Sequence, residues 1–119
     1  MGYLYYGNYA LYYEVGRVEA MRSLGVIYKD LEEKHGILMP VLDLQSKYIR
    51  PAHYDELIEI HTIIKEIPLS RIQFDYELFN EEGQLIHEAS VRLCFVNAKS
   101  GKPIRVPSFI LRQLSPHFE

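Results

Sequence analysis

A single long helical pattern near the amino terminus constrains the fold of this chain more than any other feature. Asn8 is a suitable N-cap residue, and Gly25 offers a stop just after the pattern. Between them, apolar side chains recur at helical spacing: Leu11, Val15, Val18, Met21 and Leu24. Gly16 lies inside the pattern at a cost of about 1 kcal/mol relative to alanine. We therefore expect another segment of the protein to approach the helix closely at Gly16.

The rest of the chain is dominated by extended patterns. A short second helix is predicted over residues 28–35, closed by Gly36. The clearest strand is 72–78, where apolar and polar residues alternate strictly, and a central strand is predicted over 85–96. Further extended segments are predicted at residues 41–49, 56–67 and 102–106. One long helix followed by antiparallel strands predicts an α+β fold, in which the sheet lays one apolar face over the helix.

Length and composition restrict the class of protein. The chain of 119 residues, with 48% hydrophobic residues, is enough for one core, so we expect a single domain over 1–119. The charge is nearly balanced, with 13 basic and 16 acidic residues, which argues against a nucleic-acid partner. No apolar run approaches the roughly 18 residues of a membrane span, and no secretory signal is evident. The single cysteine, Cys94, fits a reducing compartment, and we expect a cytoplasmic protein.

Motifs for metal or nucleotide chemistry are missing from the sequence. The five histidines show neither an i, i+4 pair nor H-x-H spacing, so no metal site is predicted. No G-x-G-x-x-G loop, phosphate-binding loop or G-x-S-x-G elbow occurs, which disfavours a nucleotide fold and a serine hydrolase. We expect no cofactor.

Two sequence blocks carry a resemblance to a known family. The segment from Gly2 to Arg17 resembles the G-x-V-x-(Y/H)-x-x-Y-x-x-(F/Y)-(F/Y)-E-x-(A/G)-R pattern of the 4-hydroxybenzoyl-CoA thioesterase family. The segment from Tyr48 to Leu57 resembles the family's Y-x-x-P-A-x-Y-D-x-(L/V) strand turn. Residues 83–89 and 101–107 are similar to its later hairpin and closing strand, so the resemblance covers nearly the whole chain.

The resemblance implies a fold, an activity and an assembly. Members of this family have the hot-dog fold, in which an antiparallel sheet wraps around one central helix, and they hydrolyse acyl-CoA thioesters. It also implies a homodimer or a dimer of dimers, with active sites at the dimer interface. The alternative is a non-catalytic hot-dog module that binds CoA or acyl groups, or that serves only in assembly.

The start of the long helix is the predicted catalytic region. The first backbone N–H groups of a helix lack partners within it, and the helix dipole favours negative charge there. In the resembling enzymes, the amide that polarises the thioester carbonyl belongs to the residue matching Tyr6. Gly7 and Asn8 would then lie against the substrate, and Tyr9 and Tyr13 are candidates for the wall of an acyl pocket.

A carboxylate is the second chemical requirement, and three explanations for its source compete. The family's aspartate belongs to a D-x-x-G pattern, which would place it two residues before Met1. We favour a start upstream of Met1, where the first strand and this aspartate would lie. A binding-only protein is the second explanation. In the third, Glu14 supplies the carboxylate from the helix, although Glu14 could instead favour the dipole or pair with Arg17.

Coenzyme A carries phosphates, which basic side chains must meet at the mouth of the pocket. Arg50, Lys65 and Arg71 flank predicted strand ends and are the candidates. A solvated surface cation is the alternative for each of them, since exposed lysine and arginine are common.

Overall fold

The computed structural model describes residues 6–52 and 56–118. Helix α1 (Tyr6–Ser23) and helix α2 (Tyr28–His35) come first. They are followed by strands β1 (Ile37–Leu38), β2 (Val41–Tyr48), β3 (Glu59–Ile63), β4 (Arg71–Phe79), β5 (Leu85–Asn97) and β6 (Pro103–Ile104). Helix α3 (Ser108–Leu114) and a 3-10 helix (Ser115–Phe118) end the described part. This order confirms the predicted α+β class.

Strand β5 organises the sheet because it is the longest strand and has neighbours on both sides. It pairs antiparallel with β4 and with β2, and β3 pairs with the outer side of β4. The short strands β1 and β6 pair with the last residues of β5. Within the described residues β2 and β3 therefore lie at the two margins of the sheet.

The sheet buries one face under α1. Along β4, the alternation puts Ile72, Phe74, Tyr76 and Leu78 in the core, as the sequence predicts. Gly16 on α1 marks the closest approach, since a Cβ added there would lie 2.5 Å from Thr62 Oγ1 and within 3.0 Å of the Tyr76 ring. The close contact expected at Gly16 is thus confirmed. The absent side chain lets the helix lie directly on β3 and β4.

The buried face of α1 differs from the predicted one. Met21 is fully buried, but Leu11 and Val15 are 60% and 54% exposed. Tyr9 and Tyr13 face the sheet in their place, with only 4% and 2% exposure. The pair Leu11 and Val15 and the pair Tyr9 and Tyr13 both have helical spacing, so periodicity alone could not decide which face of the helix meets the sheet.

Several predicted boundaries are also wrong. Helix α1 already includes Tyr6 and Gly7, so Asn8 lies within the helix and is not its N-cap. The extended segment 56–67 forms a strand only over Glu59–Ile63, and 102–106 only over Pro103–Ile104. Helix α3 was not predicted; its Ile110 and Leu114 are buried in the core. Seven residues give too few turns for a clear helical pattern.

Candidate functional site

The first turn of α1 contains the predicted carbonyl-binding residues Tyr6, Gly7 and Asn8. The N–H groups in the first turn of a helix have no carbonyl within that helix to bind. These amides can donate to an oxygen that gains negative charge. The segment 1–5 and the part of the second sequence block formed by His53, Tyr54 and Asp55 lie outside the described residues.

A buried aromatic cluster lies behind this turn. The Tyr9 ring stacks on the imidazole of His87 from β5, with centroids 4.1 Å apart. Tyr48 at the end of β2 meets both rings edge-on, at 5.4 Å from Tyr9 and 4.6 Å from His87. The imidazole is fully buried, and burial lowers the pKa of His87 to about 4, so it is neutral at pH 7.

Tyr13 joins this cluster through its hydroxyl. The hydroxyl lies 3.0 Å from Ser46 Oγ on β2 and hydrogen-bonds His87 Nε2. Burial raises the pKa of Tyr13, against the opposing effect of the Ser46 hydrogen bond, so the phenol stays protonated. Tyr9 and Tyr13 are therefore both covered by the sheet within one chain. His87 was missed as part of this region, although it occupies an inward position of a predicted central strand, where a polar residue is unusual.

Glu14, the alternative carboxylate, lies on α1 next to the cluster and is exposed to solvent. The pairing with Arg17 considered for it is wrong, because no ion pair joins the two among the residues the structure describes. The charge of Arg17 acts instead on the buried hydroxyls of Tyr28 and Tyr76. Burial raises the pKa of Tyr28 to about 12, and Arg17 opposes that rise.

Two of the three predicted phosphate-binding residues come together. Lys65 and Arg71 line a cleft of about 260 Å³, to which Arg92 of β5 also contributes. The guanidinium of Arg92 forms an ion pair with Asp43, and this hydrogen bond lowers the pKa of the Asp43 carboxyl. Arg92 was not among the predicted residues, because the sequence does not show that β5 carries it to the same cleft.

Arg50 lies apart from this cleft, at the end of the sheet that holds the aromatic cluster. Its backbone N–H donates to the carbonyl of Ile86, the residue before His87. On the sheet, His87 pairs with Tyr48 whereas Cys94 pairs with Arg71. The seven residue steps along β5 from His87 to Cys94 span about 23 Å at 3.3 Å per residue.

A second cleft, of about 430 Å³, is lined by residues that include Lys47, Lys65, Asp75, Glu77 and Glu88. Asp75 is nearly buried there and accepts hydrogen bonds from Ser90 Oγ at 2.6 Å and Gln73 Nε2 at 3.0 Å. Burial opposes its ionisation, but these hydrogen bonds and the Lys65 charge outweigh that effect and lower the pKa of Asp75. Its oxygens are thus already satisfied by protein donors.

The described residues form neither a metal-binding cluster nor a membrane-spanning helix. No group of three histidine, cysteine or acidic side chains could hold a metal ion within residues 6–52 and 56–118. In the same ranges, no helix combines the length and the apolar character needed to cross a bilayer.

Comparison with known proteins identifies the family. The sequence profile of the thioesterase superfamily matches residues 1–87. A putative acyl-CoA thioesterase of Bacillus subtilis, YneP, is 36% identical over 105 residues, which are 88% of this chain and 75% of that protein. The chain therefore belongs to the thioesterase superfamily, as the resemblance predicted.

Solved structures agree with this family and with the hot-dog fold. The DHNA-CoA thioesterase of Staphylococcus aureus is similar over all of this chain and 85% of its own, with a TM-score of 0.85 and 33% identity. The hypothetical protein TT1821 of Thermus thermophilus matches 98% of this chain and 87% of its own, with a TM-score of 0.88 and 29% identity. The predicted hot-dog fold is thus confirmed.

Proposed function

We propose that this chain is an acyl-CoA thioester hydrolase whose reaction takes place at the start of α1. Membership in the thioesterase superfamily supports the activity, and relatives with similarity over most of this chain are named for it. The observation that carries the proposal is the place of Tyr6, Gly7 and Asn8, which form the first described turn of α1, directly ahead of a buried aromatic cluster.

The amide of Tyr6 receives the thioester carbonyl oxygen in this proposal. As water or a carboxylate adds to the carbonyl carbon, negative charge grows on the oxygen, and the amide and the helix dipole stabilise it. The CoA thiolate then leaves. Gly7 and Asn8 contact the substrate near the carbonyl, while Tyr9 and Tyr13 form the inner wall behind it.

The family resemblance implies an aspartate as the attacking or activating carboxylate. Glu14 remains the alternative within α1, and its exposure leaves it accessible. If Glu14 is not this group, Glu14→Gln should change kcat only slightly. A loss of roughly 10²- to 10⁴-fold in Glu14→Gln would instead assign Glu14 as the carboxylate.

The CoA phosphates are proposed to bind at the cleft of Lys65 and Arg71. The cleft holds Lys65, Arg71 and Arg92 beside the acidic Glu66 and Asp75. About 23 Å of strand separates the row of Arg71 from the aromatic row, so an elongated ligand is required to reach from one to the other. Arg50 lies nearer the helix start and would contact the CoA chain closer to the thioester. Arg92 adds positive charge to the cleft even though it is paired with Asp43.

A homodimer, or a dimer of dimers, is the proposed assembly. Strand β2 lies at the margin of the sheet and exposes apolar side chains, namely Val41, Leu42, Leu44 and Tyr48. The exposed Leu11 and Val15 of α1 add to the apolar surface that a second copy would cover. A folded 14.0 kDa monomer at micromolar concentration in light scattering would contradict this assembly. The cytoplasmic location remains our prediction from the single cysteine.

Proline at Tyr6 provides a direct test of the activity. Because proline is tolerated at the first helical position, Tyr6→Pro removes the amide hydrogen and leaves the helix intact. We expect kcat for thioester hydrolysis, measured by thiol release, to fall about 10²- to 10³-fold. Tyr6→Ala is the matched control, since it loses the same side chain but keeps the amide.

Two outcomes would count against this assignment. Equal losses of kcat in Tyr6→Pro and Tyr6→Ala would indicate that the side chain of Tyr6, and not its amide, contributes to catalysis. A wild-type protein that binds CoA but releases no thiol from any acyl-CoA would favour the non-catalytic module.

A further inference from the structure

His87 is a buried polar residue that the proposed reaction does not use. It lies on β5 with no exposed surface, and it is held between α1 and β2 by the rings of Tyr9, Tyr13 and Tyr48. Its Nδ1 atom is buried without a hydrogen-bond partner among the described residues. An unpaired buried polar atom destabilises a protein by about 1–3 kcal/mol, so an apolar side chain would be expected here on grounds of stability alone.

The hydrogen bonds of His87 connect three elements of the fold. The Tyr13 hydroxyl of α1 contacts both Nε2 of His87 on β5 and Oγ of Ser46 on β2. A hydroxyl has one hydrogen and can also accept, so Tyr13 can donate to one neighbour while accepting from the other. These two linked hydrogen bonds, Ser46–Tyr13–His87, fix the rotation of α1 about its axis as well as its distance from the sheet.

The imidazole in these hydrogen bonds is neutral. Among the described residues, the titratable groups that face His87 are the phenols of Tyr9 and Tyr13 from α1 and of Tyr48 from β2, and Leu78 lies opposite on β4. No charged side chain of the described residues contributes to the shift in its pKa, which follows from burial. A neutral imidazole has one bare nitrogen, so Nε2 can accept the Tyr13 hydrogen.

The Ser46–Tyr13–His87 hydrogen bonds lie close to the start of α1, where the proposed reaction takes place. Tyr13 lies seven residues, or about 10 Å, along α1 from Tyr6. A helix held at Tyr9 and Tyr13 has little freedom to shift at its start. A displacement of about 1 Å of a catalytic group can cost roughly 10²-fold in rate.

We propose that His87 is a positioning residue for thioester hydrolysis, acting through Tyr13 and Tyr9 to hold the start of α1 in place. It touches no reacting atom. The proposal rests on the proposed function, because the position of the helix start matters for kcat only if the Tyr6 amide binds the carbonyl oxygen.

The test combines His87→Leu, His87→Gln and Tyr13→Phe with steady-state kinetics on an acyl-CoA. His87→Leu removes the hydrogen-bonding nitrogen and keeps apolar bulk, and we expect kcat to fall about 10- to 100-fold with KM within about twofold. The side-chain amide of His87→Gln can bind the Tyr13 hydroxyl again, so it should restore most of kcat. Tyr13→Phe should resemble His87→Leu, and the double variant should lose little more than either one.

Tyr28→Phe is the matched control. It removes another buried tyrosine hydroxyl, on α2, outside the Ser46–Tyr13–His87 chain. It should keep wild-type kcat. If His87→Leu does not fold, Tyr13→Phe carries the test, since it removes a single oxygen atom. Amide hydrogen exchange in the first two turns of α1 should be faster in Tyr13→Phe and unchanged in Tyr28→Phe.

Different results would overturn the two proposals. Full kcat in folded Tyr13→Phe and His87→Leu, in a wild type that hydrolyses acyl-CoA, would overturn the positioning role alone. So would a rise in KM at constant kcat. A wild type without thioesterase activity would overturn the proposed function, and with it this role in catalysis.

Discussion

The two ends of the sheet differ in how their functional side chains are held. At the helix start, Tyr9, Tyr13 and His87 are buried and uncharged. Toward the other end, Lys65 and Arg71 are exposed cations on the rim of a cleft, where Lys65 pairs with Asp75. Packing fixes the position of the first group, whereas the second group is exposed to solvent and, in the proposed function, attracts the CoA phosphates by charge. The first end therefore suits the chemical step, and the second suits substrate binding.

The largest effect that we expect to separate the two regions is on substrate binding, from substitutions in the basic cleft. Replacing both Lys65 and Arg71 by alanine should raise KM for acyl-CoA about 10-fold or more, with kcat within about twofold, because charge-assisted bonds to phosphate are lost. The wild-type KM should rise with ionic strength, and that of the double variant should respond less. Lys29 and Lys99 replaced together by alanine give a matched control with the same change in charge. A fall in kcat at constant KM would assign the basic cleft to the chemical step.

A smaller effect is expected on the free energy of unfolding, from Gly16→Ala. Alanine favours a helix by about 1 kcal/mol over glycine, but its Cβ would lie 2.5 Å from Thr62 Oγ1. Overpacking of this kind costs about 1–3 kcal/mol, so we expect net destabilisation in urea unfolding. When Thr62→Ala is combined with Gly16→Ala, it should restore part of the lost free energy of unfolding. A stabilised single variant would show that α1 can move on the sheet and that the helix start is less rigid than proposed.

The smallest effect near neutral pH is a pH dependence of the stability, which arises at the buried end. In the folded protein the pKa of His87 lies near 4, whereas an unfolded histidine titrates near 6.5. Between these values the unfolded chain takes up a proton that the folded chain does not, so stability falls as the pH decreases from about 6.5 to 4. His87→Gln should lessen this dependence in urea unfolding at pH 7, 6, 5 and 4. If the stability of His87→Gln depends on pH in the same way as that of the wild type, His87 is already charged, or is exposed, in the native protein.

Much of the fold follows from local sequence signals. The strict alternation over residues 72–78 and the helical spacing after Tyr6 predicted the strand and the helix, since each period is set by backbone geometry. Gly16 indicated a close contact because glycine within a helix is costly unless space is required. The two sequence blocks gave the family and hence the region of the candidate site.

Only the tertiary structure decided which helix face is buried, and which distant residues meet. Leu11 and Val15 have the same spacing as Tyr9 and Tyr13, yet the sheet covers the tyrosines. His87 and Ser46 meet Tyr13 because β5 and β2 pair in one particular register, and no local pattern specifies that register. The physical reason is that periodicity depends on near neighbours in the chain, whereas this cluster joins residues 33 and 74 positions apart.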